Sequence, residues 1–87
     1  MFVERDCMHY VYLIRSEKQT GQTYIGLTDS IQKCLESHNS GANKHTAKFR
    51  PWVLVSYTAF VSREKAAAFE KYLKQGSGHA FAKRHLW

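Results

Sequence analysis

The sequence predicts an α+β fold: a small three-stranded antiparallel sheet flanked by helices, in the order β-β-α-β-α-α. Three observations carry this. Two short apolar triplets, Tyr10-Val11-Tyr12 and Tyr24-Ile25-Gly26, frame a polar, turn-like stretch, Gln19-Thr20-Gly21-Gln22. Trp52 to Phe60 is a nine-residue run dense in Val and Tyr, with no breaker. The segments after Asp29 and after Ser62 space their apolar residues at helical intervals instead.

The elements follow in order. His9 to Arg15 alternates weakly, is rich in Val, Tyr and Ile, and reads as the first strand. Thr23 to Leu27 reads as the second. Joined by the turn they make a β-hairpin that sets Tyr12 and Tyr24 on adjacent strands. Asp29 is expected to cap a helix, with Gln32 three residues on as in a capping box. Ile31, Cys34, Leu35 and His38 fall at i, i+3, i+4 and i+7, one helical stripe. Asn39-Ser40-Gly41 supplies the stop. Ala42 to Arg50 reads as a polar, basic loop closed by Pro51, and Trp52 to Phe60 as a central strand. Ser62 is a good N-cap, and Glu64 sits favourably in the first turn after it. That helix runs to about Lys74, with Ala66, Phe69, Tyr72 and Leu73 as its apolar side. Gly76-Ser77-Gly78 reads as a break before a short terminal helix, Ala80 to Leu86. Phe81 and Leu86 are expected to dock there and Lys83 and Arg84 to face solvent.

Eighty-seven residues suit one domain spanning 1–87, with 1–7 as a loose N-terminal extension. The chain is 44% hydrophobic and 14% aromatic, enough for one modest core. No segment reaches the ~18 apolar residues of a membrane span. Met1 to Met8 carries acids and no apolar run, so no signal peptide is expected. The two cysteines, Cys7 and Cys34, have no metal-ligand spacing, which fits a reducing, cytoplasmic setting. The net charge of +6 is unevenly placed. Residues 42–87 hold nine Lys or Arg against Glu64 and Glu70 alone, and no acid occurs between Glu36 and Glu64. A polyanion-facing surface and a merely basic, soluble one both fit that asymmetry.

The two triplets, the helix Ile31 to Asn39 and the segment Ala67 to Lys74 together resemble a GIY-YIG nuclease domain of the small, stand-alone bacterial type. Tyr10-Val11-Tyr12 matches the first motif triplet with Tyr in place of the leading Gly, and Tyr24-Ile25-Gly26 matches the second in full. The resemblance runs from about Met8 to Trp87. It implies a metal-dependent endonuclease that hydrolyses phosphodiesters. It assigns the chemistry to a tyrosine, an arginine and one divalent ion, Mg²⁺ or Mn²⁺, held by a glutamate. Small members of this kind include nucleases that prefer single-stranded DNA, so DNA, and single-stranded DNA first, is the implied partner.

Phosphodiester hydrolysis needs a water that loses its proton, neutralised phosphoryl oxygens and a stabilised leaving oxygen. Tyrosine, with an ordinary pKa of ~10, is a poor base unless a cation or metal favours its phenolate. Tyr12 and Tyr24 match the motif tyrosines, and the sequence does not choose between them. Tyr12 is taken as base and Tyr24 as its neighbour or a phosphate contact. On residues alone both also suit cross-strand packing. Tyr10 reads as packing or surface. Glu70 shares a helical face with Ala66 and Leu73, which leaves it two uses. It can be a metal ligand, since Mg²⁺ typically takes only one or two protein carboxylates, or the partner of Lys74 at i+4. His38 can be a half-buried packing residue, or, as the resemblance implies, an aid to the base or a phosphate contact.

Cys34 stands where the resemblance expects the catalytic arginine. A cysteine suits the stripe as a small hydrophobe, but it lacks the charged fork that grips a phosphate. Losing such a group commonly costs ~3 kcal/mol or more of transition-state stabilisation. Three readings stay open: an impaired variant, a member in which Lys33, Lys44 or Lys48 substitutes, or a module that binds nucleic acid without cutting it. As a nucleophile Cys34 has only its basic surroundings to recommend it. Weak or absent activity is therefore expected of the chain as it stands. The segment Lys44-His45-Thr46-Ala47-Lys48-Phe49-Arg50, followed by Trp52, interleaves cations with aromatics, as single-strand binding requires. Lys44, Lys48 and Arg50 are the expected backbone contacts; Phe49 and Trp52 can equally belong to the core.

Overall fold

The computed structural model describes residues 8–87. The expected extension over residues 1–7, Cys7 included, lies outside the described residues. Three strands and four helices follow in the order β1 (His9–Ser16), β2 (Thr23–Thr28), α1 (Ile31–Ser40), α2 (Lys44–Ala47), β3 (Trp52–Phe60), α3 (Arg63–Leu73) and α4 (Gly76–His85). The α+β class and the three-stranded antiparallel sheet are as the sequence predicts.

The sheet order is β2-β1-β3, both pairings antiparallel. The central strand is therefore β1, and β3 lies at an edge, contrary to expectation. An unbroken apolar run reports strand propensity rather than position in the sheet. What marks a centre is burial on both faces. Val11, Tyr12, Leu13 and Ile14 are all buried, whereas β3 buries only Trp52 and leaves Leu54 and Tyr57 exposed.

Strand alternation divides these residues between two cores. Val11 and Leu13 pack with Ala66 and Leu73 of α3 and Ala82 of α4. Tyr12 and Ile14 face the other way, with Trp52, Tyr24 and the Ile31, Cys34 and Leu35 stripe of α1. So α1 covers one face of the sheet and α3 with α4 the other, and β2 and β3 are its two edges. The hairpin turn is held by Ser16, whose Oγ accepts from the backbone N–H of Lys18 and Gln19. Gly21 takes φ +94° there, a conformation L side chains rarely adopt.

Three local readings need correction. The cap of α1 is Ser30 rather than Asp29; its side chain accepts from Lys33 N–H. Thr28 sets that register, because its Oγ1 both accepts from Ser30 N–H and donates to Ser30 C=O. Gln32 is left to bond Glu36. The stop at Gly41, φ +86°, is as expected. The basic loop contains a one-turn helix, α2, capped by the Asn43 side chain accepting from His45 N–H. Finally, Gly76-Ser77-Gly78 does not precede the last helix but begins it. Gly78 is buried, and a Cβ on it would collide with the backbone of Tyr72 and Leu73. The glycine serves close approach between α3 and α4 rather than a break. The buried anchor of α4 is Ala82, while Phe81 is 38% exposed and Leu86 half-buried. Ser62 caps α3 as predicted, accepting from Lys65 N–H.

Candidate active site

Tyr12 and Gly26 are direct cross-strand partners in β1 and β2. The Tyr12 ring runs over Gly26 so closely that a Cβ there would meet its hydroxyl and outer ring carbons. The glycine of the second triplet is thus a spatial requirement of the tyrosine of the first. Beyond Gly26 the ring reaches the free edge of β2, where Tyr24 stacks against it at 6.1 Å between centroids.

Helix α1 brings His38 onto this pair. His38 is buried, its Nε2 lies 3.1 Å from the Tyr12 hydroxyl and its Nδ1 2.8 Å from Thr46 Oγ1. The Thr46 hydroxyl also lies 3.4 Å from the Asn43 carbonyl. When it donates there it accepts from His38, and in that tautomer Nδ1 carries the proton and Nε2 offers a lone pair to Tyr12. The chain of donors reads Tyr12 O–H to His38, His38 N–H to Thr46, Thr46 O–H to Asn43. Trp52 closes the back, its Nε1–H donating to Thr46 C=O. Asn39, read from sequence only as part of a stop, pins α1 to β3 by bonding both the C=O and the N–H of Trp52.

Electrostatics make this a site of neutral groups. Burial lowers the His38 pKa, so the imidazole is uncharged at neutral pH. Burial pushes the Tyr12 pKa up, and its acidic neighbours Cys34, Tyr24 and Glu70 push it the same way. Cys34 lies half-buried on the α1 stripe against this cluster, a free thiol where a cation was expected.

Glu70 lies on α3, and its Oε2 pairs with Lys74 Nζ at 3.1 Å. Its charge is felt at Tyr12. Tyr24, Leu73 and Lys74 line a cavity of about 340 Å³ with Thr23, Ile25 and His79. Among the described residues no three His, Cys, Asp or Glu gather as a metal cage. The donor set fits a divalent ion only in its sparse form, one carboxylate with water completing the shell. The structure brings Tyr12, Tyr24, Cys34 and His38 together, while Glu70 lies on α3, which packs on the other face of the sheet. It does not bring Lys44, Lys48 or Arg50 into contact with the tyrosines. Lys44 and Lys48 are exposed, Lys48 lying over the Phe49 ring at 5.3 Å. The Arg50 guanidinium packs against Gly41 at the end of α1. Phe49 and Trp52 belong to the core. Thr46 and Gly26, which touch His38 and Tyr12, are positions of the candidate site that the sequence reading missed as such. Gly26 was visible as a motif letter, but Thr46 carries no local signal.

Residues 8–84 match the GIY-YIG catalytic domain. The chain belongs to the GIY-YIG family of nuclease domains. Its relatives include a UPF0213 protein of Clostridium perfringens, 30% identical over 78% of this chain and 72% of that one. A UPF0213 protein of Halalkalibacterium halodurans is 36% identical over 76% and 69%. The solution NMR structure of a UPF0213 protein from Bacillus halodurans superposes with a TM-score of 0.52 at 31% identity, over 87% of this chain and 80% of that one. The structure-specific endonuclease subunit SLX1 of Debaryomyces hansenii is 35% identical over 87% of this chain, which spans 23% of that protein. No helix among the described residues is long and apolar enough to cross a membrane.

Proposed function

We propose that the chain is a single-domain, divalent-metal-dependent DNA endonuclease of GIY-YIG type, acting in the cytoplasm, with single-stranded DNA as its preferred substrate. The hydrogen-bonded chain Tyr12–His38–Thr46 carries this reading. A buried tyrosine with its pKa pushed up cannot wait as a phenolate. It can instead pass a proton. Water bound at the Tyr12 oxygen gives its proton to that oxygen as the Tyr12 proton moves to His38 Nε2. The phenol stays neutral while hydroxide attacks phosphorus, the P–O bond to the sugar oxygen breaks, and the departing oxygen takes a proton from solvent. The imidazolium so formed keeps its Nδ1–H on Thr46. General-base catalysis of this kind contributes about 10²–10⁴-fold.

Tyr24, at the mouth of the cavity, contacts the phosphate. Glu70 would hold one Mg²⁺ or Mn²⁺ once Lys74 gives way, and that ion would neutralise phosphoryl charge as a Lewis acid. Lys44 and Lys48, exposed on α2 and its C-cap, guide flanking phosphates, while Arg50 is tied to the end of α1. Cys34 supplies no charge to the transition state, which makes the chain a slow enzyme.

The test is cleavage of labelled single-stranded oligonucleotide and of plasmid with Mn²⁺, with and without EDTA, by this chain and by Cys34→Arg. EDTA-sensitive cutting, faster with arginine, is expected. No cutting by either protein under any metal would overturn the nuclease reading. Cys34 and the raised Tyr12 pKa support one second reading, a nucleic-acid-binding module without catalysis. It requires salt-sensitive binding with no cleavage.

A further inference from the structure

Two cavities meet on the side of the sheet away from α1. The first is that of Tyr24, Leu73 and Lys74. The second, about 500 Å³, is lined by Arg15, Gly21, Thr23, His79, Lys83 and Trp87. They share Thr23 and His79, so one trench runs from the β2 edge to the end of α4. His79, Lys83 and Trp87 recur at i, i+4 and i+8 along α4 and its C-terminal continuation. Arg15 faces them from the hairpin, directly opposite Thr23 across the ladder. None of the residues lining either cavity is Asp or Glu. Arg15, His79 and Lys83 are exposed, and Trp87 is half-buried. The trench thus combines cations with one aromatic wall and opens at one end beside Tyr24.

We infer that this trench is a binding track for one strand of nucleic acid, with Arg15 and Lys83 on successive phosphates and Trp87 stacking a base. The track rests on the nuclease reading for its direction, since it delivers a strand to Tyr24 and Glu70. It is separate from Lys44 and Lys48, which lie with α2 on the α1 side of the sheet. Stacking against Trp87 selects single strands, because paired bases offer no free face.

Binding of a fluorescent oligothymidylate in EDTA, followed by anisotropy over a range of salt, tests the track without any catalysis. Arg15→Gln with Lys83→Gln should weaken binding and flatten the salt dependence by about 1.4 in log–log slope, about 0.7 for each single-strand phosphate lost. Lys44→Gln with Lys48→Gln should leave the remaining slope carried by the trench. Trp87→Leu, which keeps the apolar packing, should lower affinity about tenfold at unchanged slope. Trp52 is buried, so quenching of tryptophan emission by unlabelled oligothymidylate reports Trp87. Parent-like affinity and slope in the Arg15/Lys83 variant overturn the track and leave the nuclease reading standing. Unquenched emission at saturation removes the stacking contact. A parent protein that binds no oligothymidylate at all overturns both readings.

Discussion

Tyr12 and Gly26 occupy one space: the tyrosine hydroxyl reaches the place where a side chain on the glycine would begin. Gly26→Ala must therefore push the ring off its position between β2 and α1. Overpacking of this kind costs about 1–3 kcal/mol, or roughly 4–8 °C in Tm per kcal/mol for a domain of this size. Cleavage should fall further than stability, since the displaced hydroxyl leaves His38. Adding Tyr12→Phe removes the nearest clashing atom and should recover part of the lost Tm. Thermal unfolding of the two single variants and the double variant checks this coupling. Strictly additive losses would mean that ring and glycine do not compete.

This pairing shows what the sequence could reveal. Runs of high β-propensity placed β1, β2 and β3, and period-3.6 stripes placed α1 and α3, nearly to the residue. The hairpin brought Tyr12 beside Tyr24, and the α1 stripe brought Cys34 and His38 together. The order of strands was not legible, since β1 and β3 have similar β-propensity and only tertiary burial separates them. Nor was the start of α4, whose opening glycines look like a breaker until Gly78 is seen against Tyr72; the helix itself was expected, from Ala80 on. Thr46 could not be found from a local pattern either. Its use depends on α2 folding beneath His38, a contact eight residues distant.

The proposed relay makes Thr46 a positioning residue, its hydroxyl 2.8 Å from His38 Nδ1 favouring the tautomer with the proton there. Thr46→Val keeps the shape but leaves His38 Nδ1–H buried without an acceptor, which costs about 1–3 kcal/mol. It also permits the tautomer with Nε2–H, which cannot receive the Tyr12 proton. The expected result is a fall in kcat with KM nearly unchanged, and recovery in Thr46→Ser. A Thr46→Val enzyme with parental kcat would remove Thr46 from the relay.

The lowered His38 pKa gives the stability curve a sign. Between the unfolded value of 6.5 and the lower folded one, the unfolded chain binds more protons. The His38 contribution is therefore complete above pH 6.5 and is lost as pH falls through the folded value. Urea unfolding across this range should show stability dropping on the acid side, and His38→Gln should flatten that limb. Cleavage should follow the same direction: it needs the neutral imidazole, so its acid limb lies below pH 6.5. An acid limb above 6.5 would contradict a desolvated His38 as proton acceptor.

Cys34→Arg puts a fixed cation beside Tyr12, in the cluster that Cys34 shares with it. Its charge opposes the effect of burial and draws the phenol pKa down, while its fork can grip a phosphoryl oxygen. The expected gain in kcat is about a hundredfold or more. Ultraviolet titration of Tyr12, compared with Tyr12→Phe in both backgrounds, should show its phenolate forming at lower pH in the Cys34→Arg protein. If neither rate nor titration moves, position 34 does not face the reacting groups.

Glu70 has a present partner and a proposed one, and the two compete. Its Oε2 sits on Lys74 Nζ, an i, i+4 pair whose lysine side chain is 50% exposed. Such surface pairs contribute only ~0–1 kcal/mol, so their loss should leave the fold intact. Lys74→Ala frees the carboxylate and should tighten Mn²⁺ binding by calorimetric titration. Glu70→Gln keeps the shape and removes the charge, and should abolish that binding and the metal-stimulated cleavage together. The order Lys74→Ala, then the parent, then Glu70→Gln is what a single carboxylate site demands. Equal Mn²⁺ affinity in all three proteins would return Glu70 to an ordinary salt bridge.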